Sequence, residues 1–529
     1  MISSLSAMTS TPTMWFASAA VCILLPSSLI LWQKICKSPP SWIRELETLG
    51  VPRKKKLPGT AVVCGGSIAG LVTARVLADH FEKIILVDPE IDSDKPKTRI
   101  MQYYAAHVFL SLFVASARRL WPNFDAELQA AGGRIVPADT QVHYSGVELG
   151  TPYKDYPAGC LPDTLVMRRS SAQIALQRLF MQHTTTANVT ILAGTVRGIE
   201  TSSDKAVETV IVRERDGTHV SLNDIALVAD CTGTTQAGLK WLESAGFSLP
   251  ENIRYSYNGN LRYATLTFIV SPELEATLPL PDLVKNTILV YGFVSHLESG
   301  PTTFALVKTD NNTMQLLVGN NGDGDLPRLA SEVVPFLSNF RGKAPIPSWV
   351  VETIRILCEN CSPSFDNIKI PTQSYVRYHM VPAGALPSNF IAIGDAKLQL
   401  NPIHGQGFTK IVLNGITLNS LLNTVDPRSN NLPRDFAARY FKNDAVNTEG
   451  LWDATRLHDY GYSTCEPMKG ETNDTGGLVR WFELKLISAA TQDDEVASAL
   501  WHVRHLLAAD RALLAPTVLW KILWTRPRF

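Results

Sequence analysis

Ala61-Val-Val-Cys-Gly-Gly-Ser-Ile-Ala-Gly-Leu71, followed by Ile84-Ile-Leu-Val-Asp88, is the stretch that decides the fold of this chain. An apolar run leads into a glycine-rich turn, a helical pattern and a second apolar run that ends in an acid. This order predicts a strand–helix–strand unit with a dinucleotide at the turn, because small residues let the backbone approach a pyrophosphate. Asp88 lies about twenty residues beyond Gly70, where a carboxylate can accept hydrogen bonds from a ribose.

The glycine motif departs from the dinucleotide pattern at one position. Ser67 stands where the pattern has glycine, although serine is small enough to be tolerated. The alternative is a plain strand–helix–strand unit whose glycines only make the turn. The strand, the helix and Asp88 in their expected order favour the nucleotide site.

Length and composition narrow the functional classes. The chain has 529 residues, more than one typical domain, and 49 basic against 49 acidic residues. This balance gives no indication of a nucleic acid partner. The 8 cysteines are scattered, which is typical of a reducing compartment. Cys358 and Cys361 form a lone CxxC pair, and zinc needs four ligands, so we predict no metal site.

The N-terminus predicts a membrane anchor. Residues 1–33 carry no charge, and residues 14–32 are mostly apolar, which is just long enough to span a bilayer. Basic residues follow at Lys34, Lys37, Arg44 and 53–56, so the positive-inside bias predicts a single-pass protein of the endoplasmic reticulum with a cytosolic body. A cleaved signal peptide is the alternative, although no basic segment precedes the apolar run. The sequons at Asn188 and Asn473 would then stay unglycosylated.

Three further stretches complete the outline. Residues 250–380 are rich in strand signals and predict a mostly antiparallel, substrate-facing sheet, with Tyr255–Tyr263, Tyr291 and His296 as candidate substrate contacts. Asn389–Asp395 predicts a buried strand that ends in Gly-Asp, and Asn401–Phe408 leads into another helix. Residues 430–529 look helical. Leu513–Phe529 fits an interfacial membrane helix and a core-docked helix equally well.

Taken in order, these motifs resemble the flavoprotein monooxygenases of the aromatic-hydroxylase and squalene-epoxidase type. The resemblance rests on the glycine turn, on Gly394-Asp395 with Pro402 and Gly405-Gln-Gly407, on Arg169 at a helix start, and on Arg99 with Gln102. It implies an α/β fold with a Rossmann-like FAD domain and an inserted β-sheet domain. The implied cofactor-binding residues are Gly65, Gly66, Ser67, Gly70, Asp88, Arg99, Arg169, Gly233, Asp395, Pro402, Gly405, Gly407 and Phe408.

The resemblance also implies a division of the chain. The expected segments are an N-terminal tail (1–13), a transmembrane helix (14–35), a basic linker (36–58), FAD-binding segments (59–245 and 381–425), a substrate sheet (246–380) and a helical C-terminal region (426–529). The middle motif reads Asp230-Cys-Thr-Gly233, so Thr232 replaces the acid that such proteins often carry there. NAD(P)H recognition, with NADPH favoured, is therefore less certain from the motif, and a separate reductase is an alternative electron source.

The implied function is an FAD monooxygenase that uses O₂ to hydroxylate or epoxidise an apolar small molecule, such as a terpenoid or prenylated aromatic of secondary metabolism. His404, between Pro402 and Gly405, is the candidate catalytic residue. A flavin dehydrogenase or reductase on the same fold, and a non-catalytic binding protein, are the alternatives. The halogenase Trp-x-Trp-x-Ile-Pro signature is absent from the sequence. Besides the small-molecule substrate and O₂, the expected partner is the lipid bilayer. The sequence does not indicate an oligomeric state.

Overall fold

The computed structural model describes residues 27–91, 96–184, 188–203, 205–297, 300, 302–382 and 384–529. Its strands are β1 (Leu57–Cys64), β2 (Phe81–Val87), β3 (Arg134–Pro137), β4 (Val142–Tyr144), β5 (Val147–Glu148), β6 (Asp163–Val166), β7 (Val189–Leu192), β8 (Gly194–Thr201), β9 (Val207–Glu214), β10 (His219–Leu222), β11 (Ile225–Asp230), β12 (Arg254–Tyr257), β13 (Leu261–Ile269), β14 (Tyr291–Val294), β15 (Thr302–Lys308), β16 (Thr313–Asn321), β17 (Ser364–Lys369), β18 (Gln373–Val376) and β19 (Phe390–Ala392).

The α-helices alternate with these strands and then follow them. They are α1 (27–37), α2 (Ser41–Glu45), α3 (Ile68–Ala78), α4 (Ser111–Leu120), α5 (Phe124–Ala130), α6 (Arg169–Thr184), α7 (Ala237–Ser244), α8 (Pro272–Thr277), α9 (Ala330–Leu337), α10 (Ser348–Asn360), α11 (Gly407–Asn423), α12 (Phe436–Asp459), α13 (Gly477–Ala490), α14 (Asp494–Arg504) and α15 (Pro516–Trp524). From α11 onward, every regular element of the described chain is a helix, in agreement with the helical pattern of residues 430–529.

The first sheet is parallel and has the strand order β19-β11-β1-β2-β7. Its central strand β1 pairs Cys64 with Val87 on one side and with Asp230 on the other. The carboxyl ends of all five strands therefore meet at one edge, where the glycine turn follows β1, Asp88 follows β2 and Asp395 follows β19. Ligands bind at this edge in open α/β sheets because the connections diverge there and leave a crevice.

The second sheet has the order β17-β13-β16-β15-β14-β4-β5 and is antiparallel except where β14 pairs with β4. This confirms strands in 250–380, but β4 and β5 join the sheet from residues 142–148, outside the predicted substrate segment. Helices α9 and α10, which the strand pattern did not indicate, cover one face through residues such as Val350 and Ile354. A sheet face that is apolar needs such a cover to exclude water.

The C-terminal helices form a separate apolar cluster with the start of the described chain. Gln33 of α1 donates a hydrogen bond to Thr517 at 3.0 Å, and Cys36 is buried against α13–α15. On α15, Val518 and Ile522 are buried, whereas Trp520 and Trp524 remain exposed and stack on each other at 4.2 Å. The C-terminal helix is therefore docked on the core through one face, and contact of its exposed face with a membrane stays a prediction.

The predicted transmembrane helix (14–35) lies largely outside the described residues, since the structure describes the chain from residue 27. Among the described residues, none of the helices combines the length and the apolar character that a bilayer crossing needs.

An ion pair connects α12 to α13. His458 Nδ1 lies 2.8 Å from Glu483 Oε1 in a mostly buried position. Burial alone would lower the pKa of His458, but the Glu483 carboxylate outweighs burial and raises it to about 9. Burial would raise the pKa of Glu483, and the imidazolium instead holds it below its usual range. Both groups are therefore charged near neutral pH.

Replacing Glu483 with glutamine should destabilise the protein in a pH-dependent way. The raised pKa of His458 adds stability that is complete below about pH 6.5 and is lost as pH rises through about 9. We expect a cost of about 1.5–3 kcal/mol at pH 6.5 that shrinks by pH 9.5. Thermal unfolding of both proteins across this range measures it. Glu359→Gln, which breaks an exposed pair with Arg355, is the control with little effect. A pH-independent difference for Glu483→Gln would contradict the pairing.

Candidate functional site

One cavity of about 480 Å³ lies at the carboxyl edge of the parallel sheet and extends to the second sheet. The predicted site residues that line it are Gly65, Gly66, Ser67, Asp88, Arg99, Arg169, Gly233, Asp395, Pro402, His404, Gly405, Gly407 and Phe408. Gly70 is the exception. A Cβ built on Gly70 would lie 1.7 Å from the Gly65 carbonyl oxygen, so this glycine serves helix packing rather than ligand contact.

The glycine turn forms the first end of the cavity. Gly65 has φ +115°, and a Cβ there would lie 2.5 Å from the Cys231 carbonyl oxygen. The Gly66 N–H donates to Asp88 Oδ2 at 2.7 Å, and the Glu90 N–H donates to Asp88 Oδ1 at 2.8 Å. These bonds hold the Asp88 carboxylate at the cavity wall. Each carboxylate oxygen retains capacity for a further donor, such as a ribose hydroxyl.

Arg169 connects the glycine turn to the opposite wall. Its Nη2 donates to Ser67 Oγ at 3.1 Å, and its guanidinium lies 6.0 Å from the centre of the Phe408 ring. Burial lowers the pKa of Arg169 to about 10, so it stays protonated near neutral pH. Its buried Nη1 has no hydrogen-bond partner among the described residues. A buried donor without a partner is costly, and its place beside the cavity suits a polar ligand atom.

Asp395 follows β19 and is held from below by α11. Lys410 donates to Asp395 Oδ1 at 2.7 Å, and about 46% of the Asp395 side chain remains exposed to the cavity. Gly394 has φ +65°, a conformation that favours glycine. The Gly394 N–H donates to Asn414 Oδ1 at 3.1 Å. The aspartate is therefore positioned as a charged acceptor that can still bind hydroxyl groups.

Residues 402–408 form the next part of the wall. The chain turns through Gly405, at φ +69°, into α11, whose first residue is Gly407. A Cβ on Gly407 would meet no atom within 4 Å, so the backbone N–H groups at this helix start are approachable from the cavity. The positive end of the helix dipole points there and favours negative charge.

His404 lies partly buried in this turn. Its ring centre is 5.5 Å from that of His458, and burial followed by the His458 charge lowers the pKa of His404 to about 3. His404 is therefore neutral at physiological pH. Its Nε2 is buried and has no hydrogen-bond partner among the described residues. This nitrogen is available to a ligand in the cavity.

The side chains of the middle motif, Asp230 to Gly233, form hydrogen bonds within the protein. Asp230 is buried and accepts hydrogen bonds from the Thr232 N–H at 2.9 Å, from Thr232 Oγ1 at 2.6 Å and from the Gly238 N–H at 2.8 Å. Thr232 Oγ1 in turn accepts from the Ala237 N–H. The side chain of Thr232 thus closes the loop before α7, whereas Gly233 lines the cavity.

The second sheet supplies apolar walls from Val142, Leu289, Ala305 and Leu317. The aromatic residues that the sequence suggested for this side lie elsewhere. Tyr291 stacks on His143 at 4.2 Å, Tyr257 donates to Asp459, and His296 stacks near Phe529. The same sheet side that carries Tyr291 packs into a buried core, so strand assignment alone did not separate core from cavity positions.

Arg504, the last residue of α14, also lines the cavity. No sequence motif pointed to it, because it comes from the helical C-terminal region about a hundred residues after the second glycine segment. Tertiary packing brings it to the site: Trp501 of the same helix lies in an apolar cluster with Val142 of β4 and Leu289.

These residues fit a bound FAD. The glycine turn leaves room for a pyrophosphate at the start of α3, Asp88 and Asp395 offer acceptors for ribose and ribityl hydroxyls, and the α11 N-terminus lies where negative charge is favoured. The unpaired Nη1 of Arg169 offers a further donor.

No protein-family model matches the chain. The chain is 23% identical over 474 residues to Protein Rv3254 of Mycobacterium tuberculosis, which covers 87% of this chain and 91% of that protein.

Solved flavoproteins share the architecture. PqsL of Pseudomonas aeruginosa, a probable FAD-dependent monooxygenase, superposes with a TM-score of 0.53 at 15% identity over 76% of this chain and 96% of that one. The p-nitrophenol 4-monooxygenase PnpA of Pseudomonas putida gives 0.54 at 17% identity over 86% and 100%. A flavoprotein/dehydrogenase of Cytophaga hutchinsonii gives 0.59 at 12% identity over 88% and 96%. The mixed α/β architecture is confirmed: this chain has the fold of FAD-dependent monooxygenases.

Proposed function

We propose that this chain is an FAD-dependent monooxygenase that transfers one atom of O₂ to an apolar small molecule, by hydroxylation or epoxidation. The observation that carries the proposal is the convergence, on one cavity, of three distant segments: the glycine turn with Asp88, Arg169, and Asp395 to Phe408. The shared fold supports it. A terpenoid or a prenylated aromatic of secondary metabolism fits the apolar walls of the second sheet.

Bound FAD would supply electron transfer and oxygen activation. The protein's own residues would bind and orient it. Asp88 would accept from the adenosine ribose, Asp395 from the ribityl chain, and the α11 N-terminus would favour negative charge on a reduced ring. The apolar strands β14–β16 would exclude water from the reacting end of the cavity.

His404 remains the candidate catalytic residue. Its neutral imidazole can donate or accept one hydrogen bond at Nε2, the atom that lacks a partner among the described residues. A neutral imidazole in this position can orient a substrate group through a hydrogen bond at Nε2 without adding charge to the cavity.

NAD(P)H, with NADPH favoured, is the proposed reductant, and a separate reductase is the alternative. A dehydrogenase or reductase on this fold remains the competing function, because one structural relative is described as a flavoprotein/dehydrogenase. Membrane attachment with a cytosolic body is also proposed. Exposed apolar residues on α1 (Leu29, Ile30, Leu31) and on α15 (Trp520, Trp524) support it.

Asp395→Ala should release flavin. The substitution removes a charge-assisted acceptor and leaves the Lys410 ammonium without its carboxylate. We expect a loss of about 1.5–3 kcal/mol of FAD binding, and Asp88→Ala should act similarly. The flavin-to-protein ratio after purification measures both. Asp282→Ala, which breaks only an exposed pair with Lys285, is the control. Full flavin occupancy in both site variants would refute the assignment.

The product should retain one atom of O₂. Turnover of a terpenoid and prenylated phenol panel under ¹⁸O₂ with NADPH is expected to give singly labelled product, detected by mass spectrometry. Unlabelled product that forms equally well without oxygen would instead support the dehydrogenase or reductase function.

Deletion of residues 1–36 should shift the protein from the membrane fraction to the supernatant, incompletely if α15 also touches lipid. Asn188, which is exposed, should carry no glycan. The side-chain amide of Asn473 already donates to three backbone carbonyls, so it is not free to carry a glycan. Endoglycosidase treatment followed by mass spectrometry tests Asn188. A glycan there would show that the body faces the lumen.

A further inference from the structure

Arg504 is a cation in the cavity wall without a counterion. It ends α14 and is partly buried, and it forms no hydrogen bond or ion pair with any residue in the described part of the chain. Other buried arginines differ: Arg75 pairs with Asp79 at 2.8 Å, and Arg168 pairs with Asp310 at 2.7 Å. Two other arginines of the cavity wall, Arg169 and the exposed Arg99, also lack a carboxylate partner among the described residues, and Arg504 is the one that α14 contributes.

The acids of the surrounding helices are engaged elsewhere. Glu483 pairs with His458, Asp493 pairs with Lys521 at 2.9 Å, and Glu495 pairs with Lys37 at 2.9 Å. Burial lowers the pKa of Arg504, and no carboxylate opposes that effect. The Arg504 guanidinium thus faces the cavity with its N–H donors free of a carboxylate, and a bound carboxylate could pair with them.

His404 is the second unpartnered group at the same place. His404 and Arg504 line the same cavity, and the charge of Arg504 contributes to the low pKa of His404. His404 Nε2 is buried, lacks a hydrogen-bond partner among the described residues, and belongs to a residue that lines the cavity. One charged donor and one neutral imidazole thus share this end of the cavity.

The remaining walls at this end are apolar. Val142 of β4, Leu289, Ala305 of β15 and Leu317 of β16 offer only hydrocarbon to a ligand. The glycine turn and Asp88, which suit a nucleotide, come from the parallel sheet instead. The cavity is therefore polar along the predicted cofactor track, whereas the second sheet adds apolar walls and α14 adds the Arg504 cation.

From this arrangement we propose that the substrate binds as an anion: an apolar small molecule with one carboxylate, held by the Arg504 guanidinium, with His404 Nε2 as a second hydrogen-bonding group. Arginine binds carboxylates through two parallel N–H donors, and the bond strengthens where water is excluded. This inference rests on the proposed function and refines it, because it selects acidic members of the apolar class. An uncharged terpenoid would leave Arg504 unpaired.

Binding of matched acids and amides tests the proposal directly. The flavin-loaded full chain is titrated by calorimetry with benzoate and octanoate, and with benzamide and octanamide, at constant ionic strength. We expect each carboxylate to bind at least ten-fold more tightly than its amide. Arg504→Met should remove that preference while keeping amide affinity, and Arg504→Lys should retain part of it. Arg428→Met removes an exposed arginine and should change nothing.

The outcomes separate this proposal from the flavin assignment. Equal affinity for acids and amides, no binding of either carboxylate, or an unchanged preference in Arg504→Met would overturn the carboxylate subsite. Loss of flavin from Arg504→Met without any acid preference would also overturn it and would assign the cation to the cofactor. A protein without flavin that still prefers carboxylates through Arg504 would refute the proposed function and retain the subsite. Acetate and inorganic phosphate are also compared as competitors of benzoate. If phosphate competes as strongly as acetate, the site recognises negative charge alone, and the selection of a carboxylate is overturned.

Discussion

The close approach of α3 to the glycine turn is the constraint on which the rest of the structure depends. Gly70 lies so near the Gly65 carbonyl that a Cβ would come within 1.7 Å of it, and Gly65 is confined in the same way by Cys231. Helix α3 can therefore pack directly on β1 and β2, where all of its residues are buried. The carboxyl edge of the sheet stays open, and the glycine turn, Asp88 and Asp395 reach the cavity from that edge.

A second constraint is the buried charge beneath α11. Lys397 pairs with Asp444, which also accepts from Asn414, and Asn414 in turn accepts from the Gly394 N–H. Lys410 joins the same region to Asp395. Each member has a partner, so the network can specify one position for the Gly-Asp turn instead of only costing desolvation energy. It places one carboxylate, that of Asp395, where it stays accessible from the cavity.

The two sheets give the cavity two unlike ends. The parallel sheet contributes backbone N–H groups, glycines and carboxylates, which suit a polar cofactor. The antiparallel sheet contributes aliphatic side chains, and the C-terminal helices add His404's neighbour His458 and the unpaired Arg504. Oxygen chemistry on an apolar molecule needs this division, because cofactor binding requires polar groups whereas the reacting end must exclude water.

The sequence by itself determined the parallel-sheet half of the protein. Strand, turn, helix and acid are encoded within residues 61–88, and local sterics at Gly65 and Gly70 admit few alternatives, so the turn, Asp88 and the Gly394-Asp395 turn were predictable. Tertiary structure decided the half of the cavity that the second sheet and the C-terminal helices line. Strands β4 and β5 enter the second sheet from far away in the chain, Tyr291 packs into a core rather than the cavity, and Arg504 arrives on a C-terminal helix. These placements depend on contacts between distant segments, which local periodicity does not record.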